Sequence, residues 1–229
     1  MSGIAGKSIV TDGLVLSLDA ANRKSYPAAG TSITDLSGNG NNGTLVNGTA
    51  FDSDKVGNFN FDSTNDYITL STAVSNTIYT LNFWYKTGTN DGSYGYFSTD
   101  SNSPNSRGLA ISEGGTFGGL SYGKFYYYDG VSVNVLNQTT LLNVTNKWYN
   151  IAAVIDTSSN NIKVYINGVL DVNQTINAMA TSVDEIGRWK SGNVNFLNGK
   201  MASYKIYNKA LTATEVLQNY NATKNRFGL

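Results

Sequence analysis

Alternating apolar and polar positions dominate the chain, and this period of two is typical of β-strands that bury one face. The clearest example is 78–86, IYTLNFWYK, in which every second residue from Tyr79 to Tyr85 is large and hydrophobic. Gly and Ser interrupt 88–130, and strands are harder to assign there. Further strands are predicted over 13–19, 56–62, 66–71, 123–130, 148–156 and 161–172. The sequence therefore predicts an all-β protein.

Local signals mark one hairpin and one helix. Asn167 and Gly168 supply the positive φ angles of a tight turn within 161–172. Thr212 and Glu215 form a capping box, which predicts the start of a helix. The apolar stripe of this helix consists of Val216, Leu217 and Tyr220.

The stretch 35–45, DLSGNGNNGTL, spells G-x-G-x-x-G from Gly38 onward. A dinucleotide-binding turn with that spelling needs a strand before it and a helix after it, because the helix N-terminus holds the phosphate. Here TLVNGTAF follows, and it has no helical periodicity. We therefore interpret the stretch as consecutive tight turns in which Gly and Asn adopt left-handed conformations.

Composition restricts the chemistry that the chain can perform. It has no Cys and no His, which excludes disulfides, thiol catalysis, ordinary zinc sites and an imidazole general base. A hard cation held by oxygen ligands is the metal chemistry left. The 16 acidic and 16 basic residues cancel, so there is no electrostatic basis for binding nucleic acid. No apolar run approaches the ~18 residues of a membrane span, and we expect no membrane insertion.

Longer segments resemble a known family. GLVLSLDAAN, DLSGNGNNGTLVNGTAFD and FDSTNDYITL look like the opening of laminin-G-like domains of the concanavalin A-type lectin and glucanase family. KWYNIAAVID, IKVYINGVL and FLNGKMASYKIYNKALTATEVLQNYN resemble its central hairpin and its closing strand and helix. The resemblance covers roughly 13–221 and implies a two-sheet antiparallel jelly-roll sandwich with one short C-terminal helix. Domains of this kind are frequent in bacteriophage virion proteins and in secreted bacterial proteins.

The resemblance also suggests how the chain is organised. We expect one domain over 13–229, ending in the helix and a tail, and an N-terminal arm over 1–12. No repeat, linker or shift in composition divides this domain. The segments 1–12 and 222–229 lie outside the family-like region, which makes them candidates for arms that dock to a partner.

The family includes glycosidases, which usually need two carboxylates about 5–10 Å apart. The glucanases of this fold place theirs on a strand with the pattern Glu-x-Asp-x-(x-)Glu, and nothing in the chain matches it. Asp184 and Glu185 are adjacent, so they point to opposite faces of an extended strand. Glu113 lies in the turn-like ISEGG, and Glu215 belongs to the helix cap. We expect no enzymatic activity.

Calcium is the cofactor that the resemblance suggests, since laminin-G-like domains often bind it through aspartates at the rim of the sandwich. Asp19, Asp35 and Asp66 lie in family-like motifs and are the candidate calcium ligands. Each could instead cap a turn through its own side chain. The closing strand carries Ala202 and Ser203 where relatives often have an acidic residue, which leaves a domain without any cofactor as the alternative.

Aromatic side chains beside amides are the candidates for contact with an outside partner, because such groups stack on and hydrogen-bond to sugars. Trp189 lies in the turn-like GRWKSGN, and the run 126–129, YYYD, must expose at least one ring because neighbours alternate between faces. Exposed rings serve protein–protein contacts equally well. The candidate contact residues are Trp189, Arg188, Asn193, Tyr127 and Asp129. The tryptophans of the family-like strands, Trp84 and Trp148, are expected in the core.

Three functions fit these predictions. The first is a non-enzymatic virion protein, as a capsid decoration, head fibre or tail/baseplate module that contacts other virion proteins and host or environmental glycans. No secretory signal precedes the predicted strands, so such a chain would be assembled in the host cytoplasm and released by lysis. The second is a lectin-like carbohydrate-binding domain of a secreted bacterial protein, located outside the cell. Both allow a homo-oligomer, and a glycosidase is the third, which the carboxylates disfavour.

Overall fold

The alternating segments form antiparallel strands, and the C-terminal capping box starts a helix. The computed structural model describes residues 8–53, 57–89, 93–100, 105–113 and 121–229. The first eight strands are β1 (Leu14–Asp19), β2 (Ser32–Ile33), β3 (Gly43–Val46), β4 (Ala50–Asp52), β5 (Asn58–Asp62), β6 (Tyr67–Ser75), β7 (Ile78–Thr87) and β8 (Ser93–Tyr96). The next eight are β9 (Gly108–Glu113), β10 (Phe125–Tyr128), β11 (Val133–Val135), β12 (Trp148–Asp156), β13 (Asn161–Ile166), β14 (Val169–Thr175), β15 (Ser182–Ile186) and β16 (Asn198–Tyr207). Helix α1 (Ala213–Thr223) continues into a 3-10 turn, Lys224–Phe227.

The strands pair in three antiparallel groups. An eight-stranded group, the large sheet, has the order β14-β13-β12-β7-β16-β5-β4, with β1 also paired to β16. The order β11-β10-β9-β8 forms the small sheet, and β15-β6-β3-β2 forms the companion sheet. An antiparallel bridge between Thr99 and Glu185 joins the last two into one layer. The result is the predicted jelly-roll sandwich.

The core lies between the large sheet and the layer opposite it. Phe83 and Tyr85 of β7 approach Phe97, which follows β8, with ring centroids 4.7 and 4.9 Å apart. Phe97 in turn contacts Phe125 of β10 at 5.9 Å. All four rings are fully buried, and burial of each such side chain stabilises the fold by about 1.5–3 kcal/mol. The alternation along β7 thus fixes which face of the large sheet points inward.

The C-terminal helix covers the outer face of the large sheet. The capping box is formed, with the Thr212 side chain accepting from the Glu215 backbone N–H and the Glu215 carboxylate accepting from the Thr212 backbone N–H. Trp84, which points outward from β7, donates its indole N–H to Thr223 Oγ1 at 2.9 Å. Its ring stacks on Phe227 with the centroids 3.9 Å apart. Trp84 is therefore buried as predicted, but under the helix and tail rather than between the sheets.

The described residues of both termini pack against the large sheet, and their docking to a partner stays a prediction. Val10 is buried, donating its backbone N–H to Asn219 Oδ1 at 2.8 Å and accepting the Tyr207 hydroxyl at 3.1 Å. At the other end, Arg226 forms a bidentate ion pair with Asp19, with both distances 2.9 Å. Apolar packing and hydrogen bonds therefore hold 8–12 and 222–229 against the large sheet, and residues 1–7 lie outside the described residues.

The glycine-rich stretch begins with turns, as predicted, but it ends in β3, and its asparagines do not adopt the predicted left-handed conformation. Asp35 organises the turns. Gly38 and Gly40 have positive φ angles of 89° and 75°. The buried Asp35 carboxylate accepts the backbone N–H groups of Ser17, Ser37 and Asn41 at 2.8, 2.9 and 3.1 Å. The motif is therefore an internally satisfied loop that anchors to β1.

No helix in the described part of the chain is long and apolar enough to cross a membrane.

Candidate functional site

A concave pocket of about 290 Å³ opens on the outer face of the small sheet. Its walls are mainly aromatic, and we call it the aromatic pocket. The lining residues are Tyr94, Tyr96, Tyr126, Tyr128, Val133, Trp189 and Asn195. None of these residues is charged.

Alternation along the strands builds the pocket. Tyr126 and Tyr128 of β10 point outward, whereas the residue between them, Tyr127, points into the core. Tyr96 of β8 and Tyr126 are both register partners of Ala110 on the intervening strand β9. Since successive outward positions are two residues apart, β9 presents only the small residues Gly108, Ala110 and Ser112 on this face. Small side chains on the middle strand and tyrosines on both sides leave a depression.

The rings stand nearly perpendicular to one another. Tyr126 contacts Tyr94 and Tyr96 with centroids 6.0 and 5.9 Å apart, both at interplanar angles of 85°. Tyr128 and Trp189 meet at 5.6 Å and 77°. Edge-to-face pairs are a favourable arrangement for aromatic rings, so the walls are held before any ligand arrives. The result is a box with faces in several directions rather than a flat platform.

Trp189 lies on the loop after β15, and the backbone and side chain both fix its position. Its backbone N–H donates to Val194 O at 3.0 Å, which closes a short hairpin. The indole N–H donates to Ser106 O at 3.1 Å. A Cβ on Gly192 would come within 2.8 Å of the indole, so only glycine lets the loop fold over the ring. The prediction that Trp189 lies where the chain turns is confirmed, and the structure places it at the pocket wall.

Arg188 and Asn193 support this loop and do not line the pocket. The Arg188 guanidinium lies 3.7 Å from the centroid of the Tyr67 ring and forms a two-point ion pair with Glu185 at 2.6 and 2.9 Å. Arg188 also donates to the side-chain oxygen of the exposed Asn193. Both side chains therefore position the segment that carries Trp189.

The prediction that Tyr127 contacts a partner is wrong, because the side chain is fully buried. Its hydroxyl accepts the backbone N–H of Ala180 at 2.8 Å, and burial raises the pKa of this phenol well above its usual value. The ring that the run exposes is instead Tyr128, one residue further along. The alternation of side chains along the strand requires one exposed ring, and pairing with the neighbouring strand determines which tyrosine it is.

Asp129 is likewise turned inward. Burial alone would raise its pKa, but backbone N–H groups of Ser132 and Val131 and the side-chain amide of Asn134 lower the pKa far below the usual value. Its carboxylate accepts from Ser132 N at 2.7 Å and from Val131 N at 2.9 Å. Asp129 therefore stabilises the turn between β10 and β11 as a permanent anion.

The three candidate calcium ligands are not brought together, and no group of three or more acidic residues in the described ranges could hold a metal ion. Asp19 pairs with Arg226, and Asp35 accepts from the turn backbone. Asp66 is buried, and burial, together with the nearby Asp62 carboxylate, raises its pKa to about 6. Asp19 thus anchors the C-terminal tail, and Asp35 stabilises a turn.

The pKa of Asp66 leads to a prediction. Because the unfolded pKa is about 3.9, the raised value in the folded state stabilises the protein below about pH 4 and loses that contribution as the pH rises through about 6. Asp66→Asn, which stays neutral, should therefore raise Tm at pH 7.5 and have little effect at pH 4. Thermal unfolding at the two pH values measures this difference. If Asp66→Asn instead has a lower Tm than the wild type at pH 7.5, and calcium raises the Tm of the wild type but not that of the variant, Asp66 would be a cation ligand.

The glutamates are engaged in structural contacts and line no part of the aromatic pocket. The prediction that Glu113 lies in a turn is wrong, since it ends β9 and is fully buried. Its carboxylate accepts the Tyr85 hydroxyl at 2.7 Å and the Asn198 backbone N–H at 3.0 Å, which explains how a charge is tolerated there. Glu185 pairs with Arg188, and Glu215 caps α1.

Six pocket residues escaped the sequence analysis as site candidates, namely Tyr94, Tyr96, Tyr126, Tyr128, Val133 and Asn195. Two signals could have found the tyrosines. Tyr-x-Tyr occurs at 94–96 and again at 126–128, and small residues alternate along 108–112 between them. These segments are far apart in the sequence, and their pairing in one sheet is seen only in the folded structure.

Solved structures of other proteins share this architecture. The binding domain of Paraclostridial Mosquitocidal Protein 1 matches with a TM-score of 0.66 and 20% identity, over 94% of this chain and 53% of that chain. Domain 4 of AbnA, an extracellular arabinanase from Geobacillus stearothermophilus solved with arabinotriose, matches with a TM-score of 0.64 and 20% identity, over 90% and 98%. Trypanosoma rangeli sialidase, solved with the inhibitor DANA, matches with a TM-score of 0.64 and 12% identity, over 93% and 33%.

These likenesses establish a common fold. The chain spans about half the length of the mosquitocidal and botulinum neurotoxin binding domains that it matches. No curated protein matches it in sequence. The family model described as the concanavalin A-like lectin/glucanases superfamily, by contrast, matches residues 62–217. That match covers more than half of the chain, and so the chain belongs to the concanavalin A-like lectin/glucanase superfamily.

Proposed function

We propose that this chain is a non-catalytic carbohydrate-binding domain and that the aromatic pocket is its binding site. The observation that carries the proposal is a preformed box of tyrosine and tryptophan rings, about 290 Å³ in volume, on the outer face of a rigid sheet. Ligand sites are typically concave, lined by aromatic groups and equipped with a few polar groups that orient the ligand. The C–H faces of a pyranose complement such rings, and the Asn195 amide supplies a polar group.

The acidic residues support binding rather than hydrolysis. Glycoside hydrolysis usually needs two carboxylates on either side of the scissile bond, one of them free to protonate the leaving group. Among the residues that the structure describes, none that lines the aromatic pocket carries a carboxylate. Glu113 lies in the interior, where it accepts hydrogen bonds from Tyr85 and Asn198.

The solved relatives agree with this proposal at the level of the fold. The arabinanase domain carries an oligosaccharide, arabinotriose, and the toxin structures are described as binding domains. Because their identities to this chain are 20% or lower, they support a binding role in general and leave the ligand to be argued from the pocket.

The proposal is tested by Trp189→Ala on a glycan array, followed by titration calorimetry with the sugars that bind. Loss of one wall of the box should weaken binding by about tenfold to a hundredfold, or 1.4–2.8 kcal/mol. Trp148→Ala is the matched control, since Trp148 packs on Phe227 at the opposite sheet. It should bind as the wild type does. Equal, negligible signals from the wild type and Trp189→Ala would contradict the proposal.

We further propose that the domain is displayed on a virion, as a capsid decoration, head fibre or tail/baseplate module, where it contacts other virion proteins. Its support is compositional, namely a neutral chain with no Cys that is poor in charge. A secreted bacterial lectin-like protein is the alternative. Mass spectrometry of purified virions distinguishes them, since absence of this chain from the particles would exclude the virion location.

A further inference from the structure

The aromatic pocket offers a ligand few hydrogen bonds, because the residues described at its walls present mainly aromatic ring carbon. The Trp189 indole N–H donates to Ser106 O at 3.1 Å. The rings of Tyr96 and Tyr126 lie on the floor, and burial raises the pKa of both phenols above the usual value. Both floor tyrosines are only 3% exposed. A ligand group that reaches the floor therefore meets mainly ring carbon.

The remaining polar groups lie nearer the mouth. Asn195 and Tyr128 also line the pocket, and both are half-buried rather than buried like the floor tyrosines. The apolar Val133 of β11 is the register partner of Tyr128 and packs against the cluster that contains Tyr126. The pocket thus has an apolar interior and a sparse polar rim.

This distribution selects among sugars. A ring hydroxyl buried against the floor would lose its water without a replacement partner, and an unpaired buried hydroxyl is costly. A methyl group in the same place gains from burial against the rings. We propose that the aromatic pocket binds a neutral monosaccharide unit that carries a methyl group, as a 6-deoxyhexose or an N-acetylhexosamine, with the methyl between the Tyr126 ring and Val133. The inference rests on the proposed carbohydrate-binding function and names the class of sugar.

Charged ligands fit the pocket less well. An acidic sugar would need a cationic side chain. The two cationic residues nearest to Trp189 in the sequence already form ion pairs, Arg188 with Glu185 and Lys190 with Asp184 at 3.4 Å. Perpendicular aromatic rings also suit a quaternary ammonium through cation–π attraction. The described lining residues include no carboxylate to balance that charge, which favours the neutral sugar.

Matched pairs of free sugars test the inference, with dissociation constants measured by ligand-observed NMR. L-Fucose is compared with L-galactose and L-rhamnose with L-mannose, since each pair differs by a single oxygen. N-acetylglucosamine is compared with glucose. In at least one pair the methyl-bearing sugar should bind about tenfold more tightly, the discrimination that one buried apolar group gives at the low end of its range.

A variant tests whether the apolar wall causes this preference. Val133→Thr keeps the shape and replaces a methyl group with a hydroxyl, so the ratio within that pair should fall towards one. Because Val133 is half-buried rather than part of the core, Tm should stay close to that of the wild type. A ratio unchanged by Val133→Thr and by Tyr128→Phe would place the preference elsewhere and overturn the inference.

The outcomes separate the inference from the proposed function. If both members of every pair bind equally well, and Trp189→Ala abolishes both, the methyl preference is wrong and the sugar site stands. If no sugar binds on the array or in the titrations, the inference and the proposed function both fail. Choline binding more tightly than any sugar would replace them with a quaternary ammonium site.

Discussion

Asp35→Ala is expected to lower the free energy of unfolding by about 3–5 kcal/mol, the range seen when a buried hydrogen-bond network is broken. The carboxylate accepts three backbone N–H groups, those of Ser17, Ser37 and Asn41, and also the Ser37 hydroxyl at 2.7 Å. Alanine would leave these donors without an acceptor where Asp35 is only 6% exposed. In a chain of this size, Tm should fall by about 6–20 °C.

Two controls identify the cause. Asp35→Asn keeps one acceptor oxygen and should lose less stability than alanine. Asp62→Ala removes a carboxylate that accepts a single backbone N–H, from Thr64 at 2.8 Å, in an exposed turn. It should cost about 1 kcal/mol or less. Chemical denaturation of the three variants measures the differences, and a loss below about 1 kcal/mol for Asp35→Ala would show that water replaces the carboxylate.

Trp84→Ala is expected to cost about 3–5 kcal/mol and to release the C-terminal tail. Trp84 is 1% exposed, and its ring lies between the large sheet and the tail, stacked on Phe227 at an interplanar angle of 15°. The indole also holds Thr223 through its N–H. Removing the ring takes away both contacts, so amide hydrogen exchange over 213–227 should accelerate along with the loss of stability.

Trp84→Phe and Trp148→Ala are the controls for Trp84→Ala. Phenylalanine keeps a ring for Phe227 and loses the hydrogen bond to Thr223, so its cost should be smaller. Trp148 meets Phe227 at 5.0 Å and is only half-buried, so alanine there should cost about 1–2 kcal/mol. If the tail of Trp84→Ala stays as protected as in the wild type, the ion pair between Arg226 and Asp19 holds it instead.

Short-range features of this fold could be predicted well from the sequence. The hairpin turn at Asn167 and Gly168 has the expected positive φ angles, 52° and 81°. The helix begins at its capping box because both partners lie within four residues of each other. Such features depend on the backbone preferences of residues that are neighbours in the sequence, and these preferences do not require any tertiary contact.

Side-chain placement that depends on distant strands could not be predicted in the same way. Alternation along 126–128 shows that one tyrosine must face outward, but whether Tyr127 or Tyr128 does so is set by pairing with β9. Trp189 stood out because it is aromatic in a loop, whereas Tyr94 and Tyr96 lie in a Gly- and Ser-rich stretch without a clear strand signal. The pocket needs all three regions at once.

Residues 8–12, helix α1 and the tail all lie on the outer face of the large sheet, and the aromatic pocket opens on the other side of the sandwich. A domain immobilised or fused through its C-terminus would therefore point the pocket away from the support. Arrayed copies could then engage a multivalent surface together, and weak single-site affinities would combine into avidity.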